Sequence, residues 1–144
     1  LLGGTFDRSP NIRYLHLTEL NFALDAPAAA AALAACNVVF TMELCRKLVF
    51  RREDLAPLPS DLRTRCESWL SIAPRLTGTD GFHPWDLIPA LFILDPAPYT
   101  LQRQRLGLIT RWPRRGVLCP GPVDLSVAVE FHAAALVQRW RSLV

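Results

Sequence analysis

Two short stretches of the chain bring together residue types that can do chemistry, at spacings that core packing alone explains poorly. The first is Leu17-Thr18-Glu19-Leu20-Asn21-Phe22-Ala23-Leu24-Asp25. In an extended segment Glu19 and Asn21, two residues apart, point to the same side. A carboxylate beside an amide suits the gripping of hydroxyl groups such as those of a sugar, and it would equally serve as the polar face of an edge strand. The second stretch is Gly81-Phe82-His83-Pro84-Trp85-Asp86. Asp86 opens the most apolar run in the chain, and a carboxylate there can bind a hard cation such as calcium, which takes oxygen ligands. Aspartate is also a favoured helix N-cap, a role compatible with the first. Trp85 has two readings as well, a platform for a planar ring or a core residue.

Other chemistries are excluded by spacing. There is no Gly-x-Ser-x-Gly elbow, no phosphate loop and no Gly-x-Gly-x-x-Gly fingerprint. His16, His83 and His132 are far apart and read as surface or packing residues. Cys36, Cys45, Cys66 and Cys119 form no Cys-x-x-Cys pair, so reduced, mostly buried thiols and a cytoplasmic protein are expected. The net charge of +3 is modest. The arginines are scattered over residues 46–52, 111–115 and 139–141 rather than gathered in one basic run, which argues against nucleic-acid binding. Residues 26–42 carry no charge, but they change at Asn37 from alanine-rich helix former to β-branched strand former. A helix, a turn and a buried strand explain that change better than one membrane span of about 20 apolar residues.

The elements that must position these residues follow from pattern. With 51% apolar and 20% charged residues, 144 residues are enough for one packed domain. Leu1 to Thr5 reads as the end of a buried strand closing on Gly3-Gly4. Asp25 caps a helix that has Pro27 in its first turn and runs to about Ala35. Val38 to Leu44 reads as a buried strand, Arg52 to Leu58 as a short helix, and Asp61 to Ile72 as a longer amphipathic one. Residues 77–81 form a loop, and Asp86 then precedes an apolar helix ending at Asp95-Pro96. Leu106 to Arg111 and Gly116 to Leu118 suggest a hairpin with Pro113 and Arg114 at its turn. Val123 to Val129 alternates like a strand, and Glu130 to Val144 reads as a closing helix. Helices alternating with apolar strands indicate an α/β sheet.

At these same segments the chain resembles the inosine-uridine-preferring nucleoside hydrolase family. The ordered features are Gly3-Gly4 at a strand end, Glu19-Leu20-Asn21, Asp25-Ala26-Pro27-Ala28-Ala29 (similar to the family's Asp-Pro-Glu-Ala-Ala), a strand and short helix, and Asp86 opening an apolar helix. The resemblance implies the C-terminal part of an open, mainly parallel (mixed) sheet with helices on both faces, nucleoside hydrolase-like. It implies residues 1–144 as the C-terminal portion of a single domain whose N-terminal portion is absent. The implied activity is hydrolysis of the N-glycosidic bond of ribonucleosides to base and ribose, with Ca2+ as cofactor and a place in nucleotide salvage. Carried over by position, Asp86 matches the C-terminal calcium ligand, and Glu19 and Asn21 match the ribose-binding pair.

Three departures qualify the resemblance. The family's aspartate-rich N-terminal motif is missing, with Asp7 standing alone after Gly3-Gly4, so the catalytic base is not expected among these residues and the fragment alone should be inactive. Where many members have a leaving-group histidine, this chain has Trp85, which implies stacking of the base and a lean towards purines; His83 is displaced by two positions. A ribose-contacting asparagine falls at Arg13, and Asn11 takes the role if the loop is two residues longer. The partner expected is a ribonucleoside, with neither nucleic acid nor membrane, and homo-oligomers are compatible with the full-length protein. The alternative is a degenerate nucleoside-binding or protein-interaction α/β module without catalysis.

Overall fold

The computed structural model of the protein describes residues 1–7 and 19–144. Asn11, Arg13 and His16 lie outside the described residues.

A four-stranded mixed sheet organises the chain. Its strands are β1 (Val38–Phe40), β2 (Tyr99–Leu108), β3 (Leu118–Pro120) and β4 (Val123–Phe131), in the order β1-β4-β2-β3. The β1–β4 pair is parallel, while β4–β2 and β2–β3 are antiparallel. The parallel component is extended by the first residues. Leu2 bridges Phe40 and Thr5 bridges Val117, both in the parallel sense. Through these bridges residues 1–5 run beside β1 and then reach the β3 side, curling the open sheet. The expected strand end is thus present as two isolated bridges.

Helices cover both faces, as expected. Successive strand residues point to opposite sides, so Val39 and Phe40 enter different cores. On one side Val39, Leu125 and Val127 pack with Phe22, Ala29 and Leu33, which belong to α1 (Leu20–Leu24) and α2 (Ala26–Ala35). On the other, Phe40 and Ala128 meet Leu44 of α3 (Met42–Cys45), Ile88 and Leu91 of α5 (Leu87–Leu94), and Leu136 of α6 (Ala133–Arg141). The long helix α4 (Ser60–Thr77) packs on this second core through Ala73, with Cys66 and Leu70 against it.

Several boundaries moved for identifiable reasons. The strand expected over Val38–Leu44 stops at Phe40, because the Thr41 hydroxyl accepts from the Leu44 amide at 3.5 Å and starts α3. All of Met42, Leu44 and Cys45 are buried, so the apolar run holds no 3.6-residue period that would have marked a helix. A 3-10 turn over Arg52–Leu55 replaces the short helix. Helix α4 continues to Thr77 and ends at Gly78, left-handed at φ 76°, whose amide bonds the Pro74 carbonyl at 2.8 Å. Strand β2 begins at Tyr99, well before the expected Leu106, because its first half is a mostly exposed run of Gln and Arg that carries no apolar alternation. Strand β4 runs on to Phe131, and His132 caps α6 by accepting from the Ala135 amide at 3.2 Å.

Candidate functional site

The Glu19–Asn21 segment is helical, not extended. Phe22 drives this: its ring lies close against the Gly3-Gly4 backbone, where a Cβ would come within 2.4 Å of it at Gly3 and 2.9 Å at Gly4. Burying Phe22 pulls residues 20–24 into α1, and Glu19 becomes its N-cap. The Glu19 carboxylate accepts from the Phe22 amide and, at 3.1 Å, from the Asn21 amide. It is 0% exposed. Burial pushes its pKa above the usual carboxylate value, and hydrogen bonds from the backbone of Phe22, Gly4, Asn21 and Ala23 oppose that shift. Asn21 is exposed, with its amide nitrogen 3.4 Å from the Leu2 carbonyl oxygen. The two side chains therefore do not share one edge. The carboxylate turns inwards to backbone amides, and the amide turns outwards.

Asp86 and Trp85 sit at the start of α5. Asp86 occupies the N-cap place, yet its side chain makes no capping hydrogen bond and is exposed. Its negative charge and that of Glu43 act from α5 and α3 on the Cys45 thiol, which burial first, then Asp86, then Glu43 push up to about 12. Asp86 therefore acts electrostatically on α3, the helix that follows the C-terminal end of β1. Glu19 reaches the same end through Gly4, whose carbonyl accepts from the Met42 amide at 3.0 Å. The carriers differ, since α1 packs on one face of the sheet and α5 on the other. The C-terminal edge of parallel strands is where α/β sheets place ligands.

A cavity of about 320 Å³ opens beside Asp86, lined by Trp69, Phe82, His83, Pro84, Trp85, Asp86 and Leu87. Trp85 is half-buried: it packs on the core of α5 and α6 and also lines this cavity. Glu19 and Asn21 are not among the lining residues.

Glu43 was missed in the sequence. One of its oxygens accepts from the Thr5 hydroxyl, the Phe6 amide at 2.7 Å and the Asp7 amide at 3.1 Å. The other is buried and finds no hydrogen-bond partner among the described residues. It borders a cavity of about 180 Å³ that also includes Phe6, Thr41 and Lys47. The only local signal was a carboxylate just after Thr41, and its partners lie about forty residues upstream.

For calcium, the described residues are insufficient by themselves. Roughly 6–8 oxygen ligands are needed, and no group of three or more His, Cys, Asp or Glu among the described residues could hold a metal. Asp86 can supply one side-chain oxygen. Among the described residues no helix is long and apolar enough to cross a membrane.

This curled mixed sheet with helices on both faces is the fold of the nucleoside hydrolases. The chain aligns with a plant nucleoside hydrolase at TM-score 0.84 and 15% identity, over 97% of this chain and 51% of that one. It aligns with a purine-preferring ribonucleoside hydrolase from Gardnerella vaginalis at 0.74 and 16%, over 97% and 49%. An inosine-uridine preferring nucleoside hydrolase from Bacillus anthracis gives 0.69 and 17%, over 99% and 50%. The chain thus spans about half the length of each, and the resemblance read from the sequence is borne out in the fold. No protein-family model matches the chain, and no curated protein matches it in sequence.

Proposed function

We propose that residues 1–144 are the C-terminal portion of a calcium-dependent nucleoside hydrolase domain that cleaves the N-glycosidic bond of ribonucleosides and leans towards purines. The observation that carries this reading is Asp86, an exposed carboxylate that makes no capping hydrogen bond, standing next to Trp85 on a cavity in a chain whose fold matches that of nucleoside hydrolases. In this reading Asp86 contributes one oxygen to the calcium, and the other ligands and the catalytic base come from outside the described residues. Trp85 stacks on the base; Asn21, Asn11 and Glu19 serve the ribose, with Glu19 acting by holding α1 in place. Bound calcium would orient and acidify a water.

The test is made in the full-length protein, by following release of free base from inosine, guanosine and uridine. Stacking on an aromatic side chain is worth roughly 1–3 kcal/mol per base. Trp85→Ala should therefore lower kcat/KM for the purine nucleosides about tenfold or more, 1.4 kcal/mol being one decade, and affect uridine less. Trp85→Phe, which keeps most of the packing, separates stacking from stability. An unchanged purine-to-pyrimidine ratio in both variants removes Trp85 from the site.

One observation favours the second reading, a nucleoside-binding or interaction module without catalysis. The Glu19 carboxylate is fully enclosed and already bonded to backbone amides, unlike a group presented to a sugar. Full-length protein that binds inosine but releases no base would establish that reading in place of the first.

A further inference from the structure

His83 stands two residues before Trp85, and its ring is held at both nitrogens. Nδ1 lies 2.9 Å from the Leu48 carbonyl oxygen, and Nε2 lies 3.0 Å from the Thr79 hydroxyl. A carbonyl only accepts, so Nδ1 carries the hydrogen; in the neutral ring Nε2 then accepts from Thr79. Burial holds the imidazole below its usual pKa. The bond to Leu48 opposes that shift, and the positive charge of Arg46 adds to it. The face of this fixed ring lies against the Trp85 indole, centroids 6.0 Å apart and planes within 8°, an offset-stacked pair. Among the described residues the indole has no polar anchor of its own, because its buried Nε1 finds no hydrogen-bond partner there. Packing sets its plane, against the core beneath α5 and α6 and against the imidazole, and the imidazole is itself tied to the backbone through Leu48.

We propose that His83 is a positioning residue: a neutral Nδ1–H imidazole, clamped by Leu48 and Thr79, that sets the plane of Trp85 at the cavity mouth and with it the way a planar heterocycle can stack there. The consequence for substrate choice rests on the functional reading above, whereas the orientation of Trp85 does not. With both nitrogens engaged, His83 has no proton to offer a departing base.

Fluorine NMR of the 144-residue chain labelled with fluorotryptophan tests the orientation. Four tryptophans give four signals, and Trp85→Phe assigns the one of interest. His83→Phe keeps an aromatic face without either hydrogen bond, and His83→Asn keeps a donor for Leu48 without the ring. In both, the Trp85 signal should shift and broaden while those of Trp69, Trp112 and Trp140 stay in place. Nitrogen NMR of the wild-type imidazole should show a protonated Nδ1 and a bare Nε2 at neutral pH. A Trp85 signal unmoved in both variants, or a hydrogen on Nε2, overturns the proposal. Should either variant unfold, the wild-type tautomer decides. In the full-length protein, His83→Phe should lower the inosine-to-uridine ratio of kcat/KM about threefold, a difference of free energies in the transition state. Spectra as expected with no hydrolysis of any nucleoside would sink the functional reading and leave the positioning role standing.

Discussion

At Glu19 the competing demands on a single carboxylate are visible. Its position suits a cap, because two amide donors at the start of α1 need an acceptor, but full burial penalises its charge. A folded-state pKa above the unfolded 4.5 means that the native state holds this proton more tightly. The stabilising contribution is then fully present below about 4.5 and is lost as pH rises through the folded value. Glu19→Gln cannot titrate and loses one acceptor, so it should be less stable by about 1–3 kcal/mol. The difference from wild type should be largest in acid and should narrow towards neutrality. Urea unfolding measured across that range would refute this account if the difference widened with pH. Cys45 offers a second check: with its thiol pushed up to about 12, it should resist alkylation in the native protein while the partly exposed Cys36, Cys66 and Cys119 react.

The element that most needs support is α1, five residues long and too short to be stable alone. Glu19 holds its N-terminus, and Arg115 donates to the Leu24 carbonyl at 2.6 Å near its C-terminus. Gly116 lets the hairpin turn approach: at φ 90° its Cβ would sit 3.1 Å from both the Ala23 nitrogen and the Ala23 Cβ. Gly116→Ala should cost about 1–2 kcal/mol for the left-handed backbone alone, with more for the contact. A loss below about 0.5 kcal/mol in urea unfolding would fall within the range of ordinary surface changes and rule out this packing role. Helix α5, which carries Asp86, is tied differently. The Tyr99 hydroxyl donates to the Ile88 carbonyl at 2.6 Å, and Phe40, Phe92 and Tyr99 meet edge to face. Tyr99→Phe should cost about 1 kcal/mol and loosen the site end of α5, seen as faster amide exchange at residues 87–91.

For the molecule as a whole, the half-length match to the nucleoside hydrolases sets the expectation for residues 1–144 by themselves. Asp86 supplies one oxygen where calcium needs roughly 6–8. The isolated chain should therefore show no micromolar calcium affinity by calorimetry and no release of base above background, whereas the full-length protein should show both. Micromolar calcium binding by the 144 residues alone would mean that the shell is assembled differently.

The legible parts of this protein were those decided by neighbours in sequence. Asp25 before Ala26-Pro27 caps α2 through the Ala28 amide at 3.1 Å, and the apolar run after Asp86 is a helix ending at Leu94. The order of Gly-Gly, Glu-x-Asn and Asp-led helix carried the fold through its resemblance to a known family, although Glu-x-Asn itself read locally as extended. Tertiary structure alone decided the rest. Residues 20–24 became helical because Phe22 found the bare backbone of Gly3 and Gly4, a contact no local pattern records. The first half of β2 is a strand because β4 pairs with it, whatever its Gln and Arg side chains prefer. Glu43 met Thr5, Phe6 and Asp7, and His83 met Leu48, across separations that spacing rules do not reach. Capping and helix periodicity are properties of a few consecutive residues, whereas burial of a carboxylate and the plane of an indole depend on what the rest of the chain places against them.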